Sequence, residues 1–126
     1  MRVNISSGAP WESTVGYSRA VRVGNIVEVA GTTAVDGTDI VSVGDAYEQA
    51  RFIFQKIGVA LGQAGVAMTD VVRTRMYVTS SSVVDDVLRA HGEVFSEIRP
   101  AATIVVVSAL IDERLLVEIE ATAICY

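Results

Sequence analysis

Residues 104–107 read Ile-Val-Val-Val, four aliphatic side chains in succession inside TIVVVS at 103–108. Successive strand residues point to opposite faces, so a strand with one solvated face alternates apolar and polar residues. An unbroken aliphatic run predicts a strand buried on both faces. The remaining segments supply one layer of helices for one face of a sheet, and no third layer. The second face then needs a cover from outside the chain. Self-association is the first functional expectation.

The rest of the chain supplies the sheet. Residues 17–23 (YSRAVRV) and 26–32 (IVEVAGT) are β-rich runs joined by Gly24-Asn25, a two-residue hairpin signal. Residues 33–44, with Asp36-Gly37 and Gly44, read as a loop. Across 45–64, Ala46, Ala50, Ile53, Ile57, Ala60 and Ala64 recur on one helical stripe, and Gly65 suits the C-terminal cap. The run 71–78 (VVRTRMYV) predicts a strand. Ser82-Val-Val-Asp85 has the form of a capping box and opens a second helix that ends near Ile98, ahead of Pro100. Strands at 103–108 and 115–124 (LLVEIEATAI) close the chain around a polar turn at Asp112-Glu113. The order ββαβαββ is α+β, a single domain over 1–126 with both helices on one sheet face.

Composition removes several function classes. Half the residues are hydrophobic (51%) and 20% are charged, which excludes a disordered tail. No apolar run approaches the roughly 20 residues of a membrane span, and MRVNISSGAP lacks a signal-peptide apolar block, so a cytoplasmic protein is expected. A net charge of −5 with scattered basic residues opposes a nucleic-acid surface. Cys125 is the sole cysteine, so no intrachain disulfide forms. There is no CxxC, HExxH, Walker loop or GxSxG, and one histidine with one cysteine makes a poor zinc set.

His91 falls on the apolar stripe Val84, Leu88, His91, Phe95. It reads first as a part-buried histidine bonded within its helix layer or at a subunit contact. The alternative is a general acid/base lining a cleft, since its unperturbed pKa lies near neutrality. Glu118 and Glu120 alternate with Val117 and Ile119 and so point away from the aliphatic set. They form a solvated or salt-bridged row or, in a buried oligomer interior, need partners that Arg73 and Arg75 can supply. Tyr17 is a packing aromatic or a cleft wall.

Taken in order, these segments resemble the RidA family (YjgF/YER057c/UK114). The resemblance is carried by GYSRAVRVGNIVEVAGTTAV at 16–35, the helix and DVVRTRMYV block at 45–78, HGEVF at 91–95 and RPAATIVVVSALIDERLLVEIEA at 99–121. Pro-Ala, an apolar strand and then Val-Glu-Ile-Glu is its most specific part. The resemblance implies a chorismate-mutase-like fold and a homotrimer with three clefts at the subunit boundaries. It implies hydrolysis of 2-imino acids or their enamine tautomers to 2-keto acids and ammonia, with no metal or organic cofactor. It also implies an arginine after Pro-Ala that clamps the substrate carboxylate. A last-strand glutamate that positions water and a tyrosine near the first strand complete the implied site.

Carried over position by position, Tyr17 matches the tyrosine, Glu118 the glutamate, and Gly24 with Asn25 the turn. The arginine is replaced by Ala102. Ala30, Leu88 and Ile104 stand where the family has serine, asparagine and cysteine. A guanidinium offers carboxylate two parallel hydrogen bonds and a methyl offers none. Losing one member of a desolvated charge pair costs about 2–5 kcal/mol, roughly 30- to 5,000-fold in affinity. The resemblance therefore implies a branch with altered or lost deaminase activity. Glu118 and Tyr17 are the catalytic candidates, and Arg75, Arg99, Ala102, Thr103, Gly31 and His91 the candidate ligand contacts. Arg99 or Arg75 would replace the missing anchor. The expected partners are further copies of the chain and a small carboxylate or imine; no cofactor, metal, nucleic acid or membrane is expected. Non-catalytic binding of a small metabolite is the competing reading, and nucleic-acid cleavage the least favoured.

Overall fold

The computed structural model describes all 126 residues. In chain order the elements are β1 (Arg2–Ile5), β2 (Ala20–Val23), β3 (Ile26–Thr32), β4 (Val35–Asp36), β5 (Asp39–Ile40), α1 (Ala46–Gln63), β6 (Val71–Val78), α2 (Val84–Phe95), β7 (Ala101–Val106) and β8 (Val117–Ile124). Six strands form one mixed sheet in the order β1-β2-β3-β8-β6-β7, and β4 with β5 makes a separate small hairpin. Only β6 and β7 are parallel. A parallel pair needs a crossover, and α2 is that crossover.

The sheet has one covered face and one bare face. Along β8, Val117, Ile119, Ala121 and Ala123 are buried while Glu118, Glu120 and Thr122 stand on the other side. α1 packs on β3 and β8, and α2 lies beside α1. Ile53, Ile57 and Leu61 of α1 are fully buried in one core with Val27, Met76, Val78 and Ile119. Each large aliphatic side chain so buried contributes about 1.5–3 kcal/mol. Gln49 is the polar member of this layer. Its amide donates to Arg114 O at 3.0 Å and accepts from Leu116 N at 2.9 Å, which ties the start of α1 to the approach to β8.

Local signals explain where α1 begins and ends. The Asp45 carboxylate accepts from Glu48 N at 3.0 Å, and Gly65 at φ 81° takes the left-handed turn beyond the last residue. The entry to α2 differs from the expected capping box at Ser82. Ser80 is the capping side chain, accepting from Ser82 N at 3.1 Å, and a short 3-10 turn at Ser81–Val83 intervenes. α2 also stops at Phe95, short of Ile98.

Three further differences bear on the sheet. β1 adds an edge strand that the sequence reading did not include, and Asp36-Gly37 turns a hairpin inside the segment read as a loop. The aliphatic run predicted to be buried on both faces lies in β7, at the opposite edge. Within one chain it stays open, with Val105 42% and Val106 54% exposed. Ile104 packs part-buried against the core, while nothing in the same chain covers Val105 and Val106 fully. No helix is long and apolar enough to cross a membrane.

Candidate functional site

A bulge at the junction of β3 and β8 organises the bare face. The register runs Val29 opposite Ala121 and then Thr32 opposite Ile119, so Ala30 and Gly31 share the space facing Glu120. The extra residue brings the Gly31 α-carbon against the Glu118 side chain. A methyl built on Gly31 would overlap Glu118 Oε2 and lie 3.1 Å from its Cδ. Glycine is needed here for close approach, a frequent role of a strand glycine. Just beyond, Lys56 Nζ donates to Thr33 O at 3.2 Å and Val35 O at 2.9 Å, fastening the chain as it leaves the bulge.

Glu118 is half-buried and accepts no hydrogen bond from any group of the chain. Burial pushes its carboxyl above the usual glutamate range, the negative charge of Glu120 adds to the rise, and Arg19 opposes both. Tyr17 follows a single π-helical turn at Glu12–Gly16, with its N–H donating to Glu12 O at 3.0 Å. Between Tyr17 and Gly31 lies Arg19. Its Nη2 donates to Gly31 O at 2.7 Å, and its guanidinium carbon is 5.9 Å from the centre of the Tyr17 ring.

An open cleft of about 710 Å³ adjoins this group and is lined by Tyr17, Ser18, Ala30, Arg75 and Glu120, among others. Glu120, unlike Glu118, has partners. It accepts from Tyr77 Oη at 2.7 Å and lies 3.9 Å from Arg75 Nε. The structure thus gathers Tyr17, Gly31 and Glu118 at one place, with Arg75 in the adjoining cleft.

The remaining candidates lie elsewhere. Thr103, opposite Arg75 in the parallel register, accepts from Arg73 Nη2 at 2.7 Å. Ala102 pairs with Thr74, whose side chain is buried on the helix-covered face. Arg99 sits between α2 and β7 in the left-handed region, φ 57°, its N–H donating to Phe95 O at 2.8 Å. His91 lies between the helix layer and the sheet, bonded to strand β6 rather than within the helix layer. Its Nε2 is 2.9 Å from Thr74 Oγ1, its ring packs edge-on to Phe54, and burial lowers its pKa. The sheet separates His91 from Glu118. One chain therefore holds two groups, one around Glu118 on the bare face and one along the β7 edge. No three His, Cys, Asp or Glu side chains converge as a metal site would require.

Arg19 is the residue of this site that the sequence reading passed over. Nothing in its type distinguished it among nine scattered arginines. The available signal was alternation: with Ala20 facing the core, Arg19 faces the other way, beside the run that holds Ala30 and Gly31.

A mixed sheet with two helices on one face and a bulged β3 closing on a Glu-bearing β8 defines an α+β fold of the RidA type. The family model described as Endoribonuclease L-PSP matches residues 8–125. The chain is 48% identical to Rv2704 of Mycobacterium tuberculosis, a member of the YjgF/YER057c/UK114 family. The structural match has a TM-score of 0.90 and covers 99% of this chain and 100% of that one. It is 43% identical over 119 residues to the uncharacterised protein SCO2049 of Streptomyces coelicolor, covering 94% of this chain and 89% of the relative. It is 32% identical over 108 residues to the 3-aminoacrylate deaminase RutC of Acinetobacter baylyi, covering 85% of each. The chain belongs to the YjgF/YER057c/UK114 (RidA) family.

Proposed function

We propose that the chain acts as a homotrimer with small-molecule clefts between subunits, and that these clefts hydrolyse an imine or enamine on Glu118. Ala102 supplies no carboxylate clamp at the position where arginine-bearing relatives have theirs, so the substrate is held by other groups of the cleft. The observation that carries this reading is the state of Glu118: half-buried, unbonded, raised in pKa and fixed against Gly31. Such a carboxylate takes up a proton more readily than an ordinary solvated glutamate.

The chemistry balances without a cofactor. Glu118 takes a proton from water as the water oxygen bonds to the imine carbon, and passes it to the nitrogen to give a neutral carbinolamine. The hydroxyl proton then moves to the nitrogen by way of Glu118, the carbonyl forms as the C–N bond breaks, and ammonia leaves. Tyr17 walls the site. The deaminase named among the relatives carries out a reaction of this class. Nucleic acid has no place in the proposal, since the net charge is −5.

Assembly is supported by the open β7 edge, with Val105 and Val106 exposed, and by the row of Arg73, Arg75 and Glu120 on the bare face. A strand edge left unpaired invites association. The Glu118 group of one copy and the β7 group of the next would then close one cleft.

The test is ammonia release from freshly generated 2-iminobutanoate and from 3-aminoacrylate. Turnover by the wild type that falls about 100- to 10,000-fold in Glu118→Gln is the expected result. Equal release by both proteins would overturn it. A second reading, a trimer that binds without catalysis, is favoured by the single observation of Ala102 at the β7 edge. It predicts binding that survives Glu118→Gln with no turnover in either protein.

A further inference from the structure

Arg19 has unfinished bonding. A guanidinium carries five N–H donors in a fixed fork. Nη2 is committed to Gly31 O, Nε is buried with no acceptor, and Nη1 has no partner yet is not sealed off. Arg19 joins none of the four ion pairs of the chain. Its charge is nonetheless felt at Glu118 and at Glu12. A half-buried cation with donors left over is costly unless an acceptor arrives from outside the chain.

Gly31 is the common reference for the two groups. Arg19 bonds its carbonyl oxygen, and Glu118 lies against its α-carbon. We propose that Arg19, rather than Arg75 or Arg99, anchors the carboxylate of a small 2-oxo or 2-imino acid, setting the adjacent carbon beside Glu118. The inference rests on the cleft reading above and names its anchor. Arg75 already faces Glu120 at 3.9 Å, and Arg99 lies at the β7 edge, two strands from β8. Arg19 alone combines a free donor edge with proximity to the unbonded glutamate. The Tyr17 ring on its other side limits where the guanidinium can swing.

The experiment titrates the intact protein with 2-oxobutanoate, an unreactive product-like carboxylate, by calorimetry. Butanone serves as the matched ligand without charge. Wild-type protein is expected to bind 2-oxobutanoate saturably, and Arg19→Gln to weaken binding about 30-fold or more. Arg75→Gln and Arg99→Ala should each weaken binding less than Arg19→Gln does, because neither would then hold the anion. Butanone should not distinguish wild type from Arg19→Gln. If Arg19→Gln fails to fold, Arg19→Lys decides. It keeps the charge and one bond to Gly31 O but loses the planar fork, so affinity should fall about tenfold with circular dichroism and assembly unchanged.

The anchor is overturned if wild type shows no saturable binding, or if Arg19→Gln binds as wild type does while Arg75→Gln or Arg99→Ala does not. The two failures are separable. Ammonia release indifferent to Arg19→Gln overturns the anchor and leaves Glu118 chemistry standing. Arg19-dependent binding with no ammonia release from any imine overturns the catalytic reading and leaves the anchor.

Discussion

Glu12 and Glu118 both feel one guanidinium, that of Arg19, and live in opposite states. Glu12, in the strap between β1 and β2, is only 7% exposed. It accepts from Ser6 Oγ at 2.8 Å, Ser7 N at 3.1 Å and Ser7 Oγ at 2.5 Å. Burial raises its carboxyl pKa, but these hydrogen bonds and Arg19 together bring it below the usual range. Glu118 has burial without the bonds, and its pKa goes up. Desolvation acts on both, and local donors decide the outcome. A carboxylate whose lone pairs are filled is part of the fold. One whose lone pairs accept no hydrogen bond is available to something from outside.

The largest effect that can break this contrast is at Gly31. Gly31→Ala inserts a methyl where Glu118 Oε2 lies, so the carboxylate must swing away. The flexible end of Glu118 can yield, so folding should survive while imine turnover falls about 100-fold, the usual cost of a misplaced catalytic group. Unchanged turnover in a folded Gly31→Ala protein would show that the position of Glu118 does not matter. The corresponding change in the strap is Glu12→Ala. It leaves Ser6 and Ser7 without their acceptor and should lower unfolding free energy by about 1–3 kcal/mol in denaturant titration, with turnover held within a few-fold. A Glu12→Ala protein that keeps its stability and loses activity would reverse the roles of the two regions.

The sequence carried these two regions unequally. α1 and β6 were legible because Ala46, Ala50, Ile53 and Ile57 repeat at helical spacing and VVRTRMYV is β-rich. Glu118 was legible through strict alternation in β8. β1 was not, since Arg-Val-Asn-Ile is four residues long and becomes a strand by pairing with β2. The hairpin at Asp36-Gly37 did carry a signal, an Asp-Gly pair between Val35 and Ile40, but with two-residue strands it read as loop. Ile104–Val107 announced burial on both faces, whereas β7 is an edge strand that leaves Val105 and Val106 exposed in the single chain. The Arg19–Gly31–Glu118 cluster depends on the bulge between Val29 and Thr32. A one-residue slip of that kind is not fixed by residue type, so the surroundings of Glu118 emerged only with the register.

The smallest predicted effect is the most direct measure of the contrast, because the two carboxylates should tilt the pH dependence of stability in opposite directions. For Glu12 the folded pKa lies below the unfolded value, so its contribution is full above about 4.5 and is lost as pH falls through the lowered folded value. For Glu118 the folded pKa lies above the unfolded value. Its contribution is full below about 4.5 and is lost as pH rises through the raised value. Glu118→Gln removes that loss. The variant should match wild type in acid, pull ahead as pH rises past 4.5, and hold its advantage at neutral pH, at the cost of activity. Glu12→Gln should do the reverse, trailing wild type at neutral pH and converging with it in acid. Parallel profiles for the two variants would mean that local hydrogen bonding does not separate a structural glutamate from a working one in this fold.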